Sequence, residues 1–218
     1  MMDTTPIEEY ILEHISPEPA HLKRLYRNTY LNHLYPRMCS GHLQGRLLKM
    51  LTAIAAPKRV LELGTFTGYS ALSIAEGLTE GCELHTIEID DEMTDELEEL
   101  FASSPGGDKI TLHTGDALKI IPTLEGGWDM VFIDADKRHY IKYLEAVIPH
   151  LNKGALILAD NTLWGGKVVE VPAPTDRQSQ AIRSFNDYVA SDGRFETVIL
   201  PLRDGLTLLR YQPDGGKA

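Results

Sequence analysis

From Arg59 onward, short apolar runs rich in β-formers alternate with segments whose apolar residues recur every three or four positions. That alternation is the pattern of βαβ units, and it commits the chain to a mostly parallel sheet covered by helices. Five runs read as strands: RVLELG, ELHTIEI, KITLHTG, WDMVFIDA and GALILAD. Between them YSALSIAEGL, DEMTDELEELFASS, ALKIIPTLEG and KRHYIKYLEAVIPHL read as amphipathic cover helices. After a proline-containing loop, VVEVPAPTDRQ, a helix near SQAIRSFNDYVAS precedes FETVILPL and LTLLRYQ, which the RDG turn joins as a β-hairpin. The expected fold is therefore α/β: a seven-stranded, mostly parallel sheet with one antiparallel strand at its end and helices on both faces.

The first 58 residues read as extra helices, with Pro6, Pro17, Pro19, Pro36 and Pro57 as punctuation. A length of 218 residues suits a single domain, with a helical cover over 1–58 and the α/β core over 59–218. Only the tail PDGGKA reads as disordered. The opening segment, MMDTTPIEEYILEHISPEPA, is acidic and lacks a basic leader, so it reads as a helix rather than a signal peptide. No later stretch approaches the roughly 20 apolar residues of a membrane span. Cys39 and Cys82 form no CxxC pair and read as small buried hydrophobes. A soluble, cytoplasmic protein is the expectation. Acids outnumber Lys plus Arg by 32 to 21, and the net charge of -11 repels phosphate backbones, which argues against a nucleic-acid partner.

The stretch VLELGTFTGYSALSIA has the strand–turn–helix grammar of a nucleotide-cofactor site, with Gly64 and Gly68 letting the backbone approach a ligand. Its spacing is E-x-G-x-x-x-G, whereas dinucleotide pyrophosphates are held by G-x-G-x-x-G, so a cofactor without phosphate fits better than NAD. Glu88 ends the second strand 24 residues after Gly64, close to the spacing of about 20 for an acid that holds ribose hydroxyls. Asp116 and Ala117 end the third strand, where the crevice outside the strand tips would take a base. Taken singly, the glycines also suit a plain tight turn, and Glu88 with Asp90 also suits the start of a solvated helix. Their placement at one end of three successive strands is what favours a ligand. The fourth and fifth strands then close on Asp134 and on Asp160-Asn161, polar groups that need partners if they lie near a core.

Through LELGTFTGYSALSIA, HTIEID, GDAL, VFIDADK, ADNTLWGGKVV and PLRDGLTLL, the chain from about Tyr35 resembles the cation-dependent class I O-methyltransferases that use S-adenosylmethionine (SAM). That group contains the catechol and caffeoyl-coenzyme A O-methyltransferases, and the second half is more similar to the caffeoyl-coenzyme A and bacterial branch. The resemblance implies a Rossmann-like class I methyltransferase fold and methyl transfer to a vicinal-diol acceptor, catechol-like or hydroxycinnamoyl. It implies a divalent metal, Mg²⁺ before Mn²⁺ or Ca²⁺, held by Asp134, Asp160 and Asn161. Asp134 would also lie near the methionine part of the cofactor. Glu62, Gly64 and Ser70 would border its amino-acid portion, with Thr65 among the contacts. Glu88 would hold the ribose, Asp116 and Ala117 would flank adenine, and Met38 and Ser40 would cover the cofactor from the N-terminal side.

Two carboxylates and an amide oxygen are hard donors suited to such ions, and the absence of Cys or His from the set disfavours zinc. The plainer roles are a helix cap for Asp134 and an Asx-turn for Asp160-Asn161. A catalytic role falls to Asp134 and Lys137. Lys137 would be a general base if its amine were lowered by a neighbouring cation and burial, an electrostatic partner if the metal alone deprotonates the diol, or a solvated helix-start lysine. Trp164 would wall the substrate or anchor its loop, with Gly165 and Gly166 allowing movement. FETVILPLRDG contains no counterpart of the glutamate that faces substrate in animal catechol enzymes. Lys23, Arg24 and Arg27 suit either a coenzyme A thioester or a plain helix face. A phenolic small molecule is the expected partner, and a homodimer through the N-terminal helices and the VVEVPAP loop is the family-level expectation. The competing readings are a non-catalytic SAM-binding module, an NAD-dependent oxidoreductase and a nucleic-acid N-methyltransferase; hydride chemistry gives no use for the acid–acid–amide set, and neither a base-binding motif nor a basic face is visible.

Overall fold

A computed structural model of the chain describes residues 5–215; the last three residues of the PDGGKA tail lie outside them. Among the described residues, seven strands form one sheet: β1 (Arg59–Leu63), β2 (Glu83–Glu88), β3 (Ile110–Thr114), β4 (Trp128–Ile133), β5 (Leu151–Asp160), β6 (Phe195–Leu200) and β7 (Leu206–Tyr211). Their spatial order is β3-β2-β1-β4-β5-β7-β6. β1 to β5 pair in parallel, and β7 runs antiparallel to both of its neighbours. The reversed strand is therefore the penultimate one: the last strand of the chain inserts between β5 and β6 instead of closing the sheet. With β7 inside, Leu206 and Leu209 are fully buried, while β6 at the edge leaves Val198 and Ile199 half-exposed.

The alternation along β1 and β4 divides the core in two. Leu61, Leu63, Val131 and Ile133 face one side, where α7 (Tyr140–Val147) and α8 (Arg177–Ser191) pack. Val60, Met130 and Phe132 face the other, under α2 (Ala20–Asn32), α3 (Gly41–Ala55), α4 (Tyr69–Gly77) and α5 (Thr94–Ser103). Each fully buried Leu, Ile or Phe contributes about 1.5–3 kcal/mol of transfer free energy, so both faces of the sheet are needed to hold the strand tips in place. Among the described residues the remaining α-helices are α1 (Pro6–His14) and the single-turn α6 (Ala117–Ile120).

The N-terminal cover is fixed through α3. A Cβ on Gly45 would stand 2.7 Å from the Tyr69 ring, so α3 lies close on α4, and Arg46 Nη1 reaches Glu76 Oε1 of α4 at 2.9 Å. This docking carries the segment before α3, Pro36 to Ser40, over the C-terminal tips of the strands. Cys39 is buried, Cys82 is half-buried, and both thiols are free.

Candidate active site

Parallel strands leave their carboxyl ends on one edge, and a cleft of about 770 Å³ opens there. Its floor is the β1–α4 turn. Gly64 sits at φ 96°, and a Cβ at that position would stand 2.6 Å from the Asp134 carbonyl oxygen. Only glycine lets the β1 and β4 tips come this close, with Gly64 N–H on Ile87 O at 2.9 Å and Asp134 N–H on Leu63 O at 2.8 Å.

Glu88 organises the turn. Its Oε2 accepts the main-chain N–H groups of Thr65 (3.1 Å) and Phe66 (2.7 Å), and its Oε1 accepts those of Ile89 and Asp90, each at 3.0 Å. A buried carboxylate is thereby matched by four dipoles. Glu62 lies deeper and is fully enclosed. The Thr65 hydroxyl lies 2.6 Å from that of Thr86, which donates to Glu62 Oε2 at 2.5 Å. Burial pushes the Glu62 carboxyl up to about 8, against the pull of the Ser70 and Thr86 hydroxyls. Its Oε1 nevertheless has no partner in full hydrogen-bonding geometry among the described residues.

The acid–amide wall stands beside this floor. Asp160 is 4% exposed at the end of β5, and burial, then the nearby Asp134 charge, raise its carboxyl to about 6. Asn161 N–H donates to Asp160 Oδ1 at 2.8 Å, in a turn where Asn161 itself takes φ 58°, a conformation asparagine tolerates better than most residues. The buried Tyr140 hydroxyl shares its proton between the carbonyls of Ile133 (3.1 Å) and Asp160 (3.0 Å), tying the β4 and β5 tips together. Lys137 is buried too, with Nζ 2.6 Å from Asp134 Oδ1 and 5.2 Å from the centre of the Tyr140 ring. Burial is the largest single influence and favours its neutral amine, but the Asp134 charge, Tyr140 and the hydrogen bonds to both together outweigh it and hold the ammonium well above the usual lysine range. Lys137 stands here as a cation paired with Asp134.

Most of the expected residues converge. Gly64, Thr65, Ser70, Glu88 and Ala117 line the cleft with Asp134, Lys137, Asp160 and Asn161, and Met38, Ser40 and Trp164 close it from above. Two do not reach it. Glu62 lies behind the lining, and Asp116 caps α6 by accepting Leu118 N–H at 3.0 Å, which leaves Gly115 and Ala117 as the lining residues of that strand end. Trp164, at φ 47°, both lines the cleft and packs on the core under α8. Lys23, Arg24 and Arg27 lie exposed on α2, outside the lining.

Two residues were absent from the sequence reading. Gln44 of α3 donates from Nε2 to Asp160 Oδ2 at 2.7 Å, and Arg203 from the β6–β7 turn donates to Gln44 Oε1 at 3.0 Å. Only the sequence neighbourhoods of Ser40 and of the RDG turn hinted at either. Among the described residues no three His, Cys, Asp or Glu side chains assemble as a metal cluster, so a cation here would need the Asn161 amide as third donor. Two carboxylates facing one cleft with a single ammonium between them fit such an ion, because a hard divalent cation relieves their mutual repulsion.

Known proteins place the chain in a family. The model of a family described as O-methyltransferase matches residues 12–212. A caffeoyl-CoA O-methyltransferase from Eucalyptus gunnii is 34% identical over 96% of the chain and 89% of the relative. The O-methyltransferase TomG from Streptomyces achromogenes, involved in tomaymycin synthesis and solved in complex with SAM, superposes with a TM-score of 0.87 at 27% identity, covering 94% of this chain and 96% of that one. A Podospora anserina methyltransferase solved with SAH bound gives 0.86 at 28% identity, with 94% of each chain covered.

Proposed function

The chain belongs to the O-methyltransferase family, and on that basis we propose that it transfers a methyl group from SAM to one hydroxyl of a small vicinal diol, with a divalent cation at Asp134, Asp160 and Asn161. The observation that carries this reading is the convergence of a glycine-turn cofactor floor and an acid–acid–amide wall in one cleft at the strand tips. SAM supplies an electrophilic methyl group, and the cation, when bound, lowers the pKa of a coordinated hydroxyl and orients the diol.

The chain's own residues divide the work. Glu88 fixes the turn that receives the nucleoside, and its oxygens stand where ribose hydroxyls are held in folds of this kind. Gly64 lets the β1 and β4 tips meet under the cofactor's amino-acid part, and Glu62 braces that turn from behind through the Thr86 and Thr65 hydroxyls. Ala117 offers an apolar edge to the base. Met38 and Ser40 cover the cofactor, excluding water from the sulfonium. Lys137 holds a positive charge 2.6 Å from Asp134, and this ammonium stabilises the oxyanion that forms as the acceptor loses its proton. Trp164 gives the acceptor ring a flat wall. Aligning oxygen, carbon and sulfur in such a site removes about 7–11 kcal/mol of barrier in favourable cases.

The acceptor is a catechol or a hydroxycinnamoyl compound, in keeping with the caffeoyl-CoA O-methyltransferases that the chain resembles at 32–34% identity. Mass-spectrometric detection of methylated product across catechols, flavonoids and hydroxycinnamoyl thioesters, with Mg²⁺ present or withheld, tests reaction and acceptor together. No methylated product from any member of the panel with SAM and Mg²⁺ present rejects the reading. Among the described residues, no helix is long and apolar enough to cross a membrane.

A further inference from the structure

We propose that Gln44 and Arg203 are positioning residues that aim the Asp160 carboxylate, with Arg203 setting the orientation of the Gln44 amide. The inference rests on the methyl-transfer reading of the cleft and adds two residues to it.

The argument is one of donors and acceptors. An amide oxygen can only accept and an amide NH₂ can only donate, while a guanidinium can only donate. Arg203 Nη1 stands 3.0 Å from Gln44 Oε1, which obliges the NH₂ end to face Asp160 Oδ2, where it lies at 2.7 Å. Gln44 is 1% exposed and cannot exchange this partner for bulk water. Asn161 N–H holds the other oxygen, Asp160 Oδ1. Both lone-pair directions left free on Asp160 are thus set by the protein before any ligand arrives. Were the amide to turn, its oxygen would oppose a carboxylate.

Arg203 is itself fixed from the N-terminal cover. It donates to the carbonyl of Ser40 and, at 3.3 Å, to that of Arg37, from a backbone at φ 49° in the β6–β7 turn. The same turn holds the loop on the other side of the cleft. The Asp204 carbonyl accepts Leu163 N–H at 2.8 Å and Trp164 N–H at 3.3 Å, and a Cβ on Gly205 would stand 2.5 Å from Leu163 Cγ. One short turn therefore links the segment over the cofactor, the Asp160 carboxylate and the Trp164 wall. The cover and the acid wall are registered against each other through Arg203 and Gln44.

The test uses the full-length enzyme with SAM, Mg²⁺ and a catechol, and the variants Q44L, Q44E, R203M and R203K. Q44E keeps an acceptor for Arg203 and loses the donor to Asp160; R203K keeps a donor that cannot accept. Q44L, Q44E and R203M lower kcat at least tenfold, the dissociation constant of SAM stays within threefold of wild type, and R203K recovers at least half of the lost rate. In ¹⁵N spectra of the free protein the Gln44 side-chain NH₂ exchanges slowly with water in wild type and R203K, and rapidly in R203M. Turnover within twofold of wild type in Q44E and R203M overturns the proposal. So does weakening of SAM in step with the loss of rate, which marks general loosening, or an unchanged Gln44 amide in R203M. If the wild-type enzyme methylates no acceptor, the reading of the cleft fails, and the amide exchange still decides whether Arg203 orients Gln44. Should R203M not fold, Q44E and R203K carry the comparison.

Discussion

Lys137 Nζ lies 2.6 Å from Asp134 Oδ1, and both groups line the cleft. Asp134 is therefore already paired with a cation of the same chain. Replacing Lys137 with Met removes the charge, keeps much of the stem, and lowers kcat by about 10²-fold, the size of losing one electrostatic donor to a developing oxyanion. SAM affinity changes little. A variant with wild-type turnover removes Lys137 from the chemistry.

Metal dependence is the second expectation. Turnover stops in excess EDTA and returns on adding Mg²⁺, and Asp160→Ala abolishes both the turnover and the recovery. Equal rates in EDTA with no metal retained, measured by elemental analysis of the same sample, reject the role given to Asp134, Asp160 and Asn161.

Glu62 makes stability depend on pH. Burial raises its carboxyl to about 8 in the folded chain, against 4.5 for the exposed group. The folded state thus binds the proton more tightly, and the contribution is fully present below about pH 4.5 and declines as the pH rises toward 8. The slope in that window approaches one tenfold change in the folding constant per pH unit. Urea midpoints of the ligand-free protein fall across this window, and Glu62→Gln flattens the fall. Parallel curves for the two proteins contradict the assignment.

Gly64→Ala puts a side chain at φ 96° and a Cβ 2.6 Å from a main-chain oxygen. Backbone strain of this sort costs roughly 1–3 kcal/mol, and the contact adds to it. A lower Tm and weaker SAM binding follow, because the β1 and β4 tips must separate. An unshifted Tm means the turn is softer than its geometry.

A homodimer is also proposed. Val169 and Val171 are 89% and 94% exposed in the loop after the Trp164 turn, and Ile7 and Ile54 are exposed on α1 and α3. Light scattering gives twice the chain mass, and Val171→Asp shifts it toward the single chain. A wild-type protein that scatters as one chain ends the proposal.

The sheet could be read from sequence because its strands are local, continuous apolar runs with short polar ends, and Asp134, Asp160 and Asn161 announce themselves as polar groups at those ends. The position of β7 could not, since strand pairing across the sheet depends on contacts far apart in the chain, and a hairpin signal says only that β6 and β7 are neighbours. Gln44 was invisible for a similar reason. A glutamine on an amphipathic helix looks like any solvated residue until its distant partner, 116 positions on, is known. Lys137 is legible in sequence as a charged group three residues after Asp134, but the direction of its pKa shift turns on how burial is balanced by Asp134 and Tyr140 together, which spacing alone does not give. Asp116 and Ala117 adjoin in sequence, yet helix capping turned the acid away and left the methyl group facing the cleft.

The Glu88 carboxylate takes four main-chain amides of its own chain. On the proposed reading this is the nucleoside end of the cleft, held in shape by the chain's own amides, so that an adenosine would find little there to reorganise. Adjustment to different guests would then fall to the rim, where Met38 and Trp164 stand.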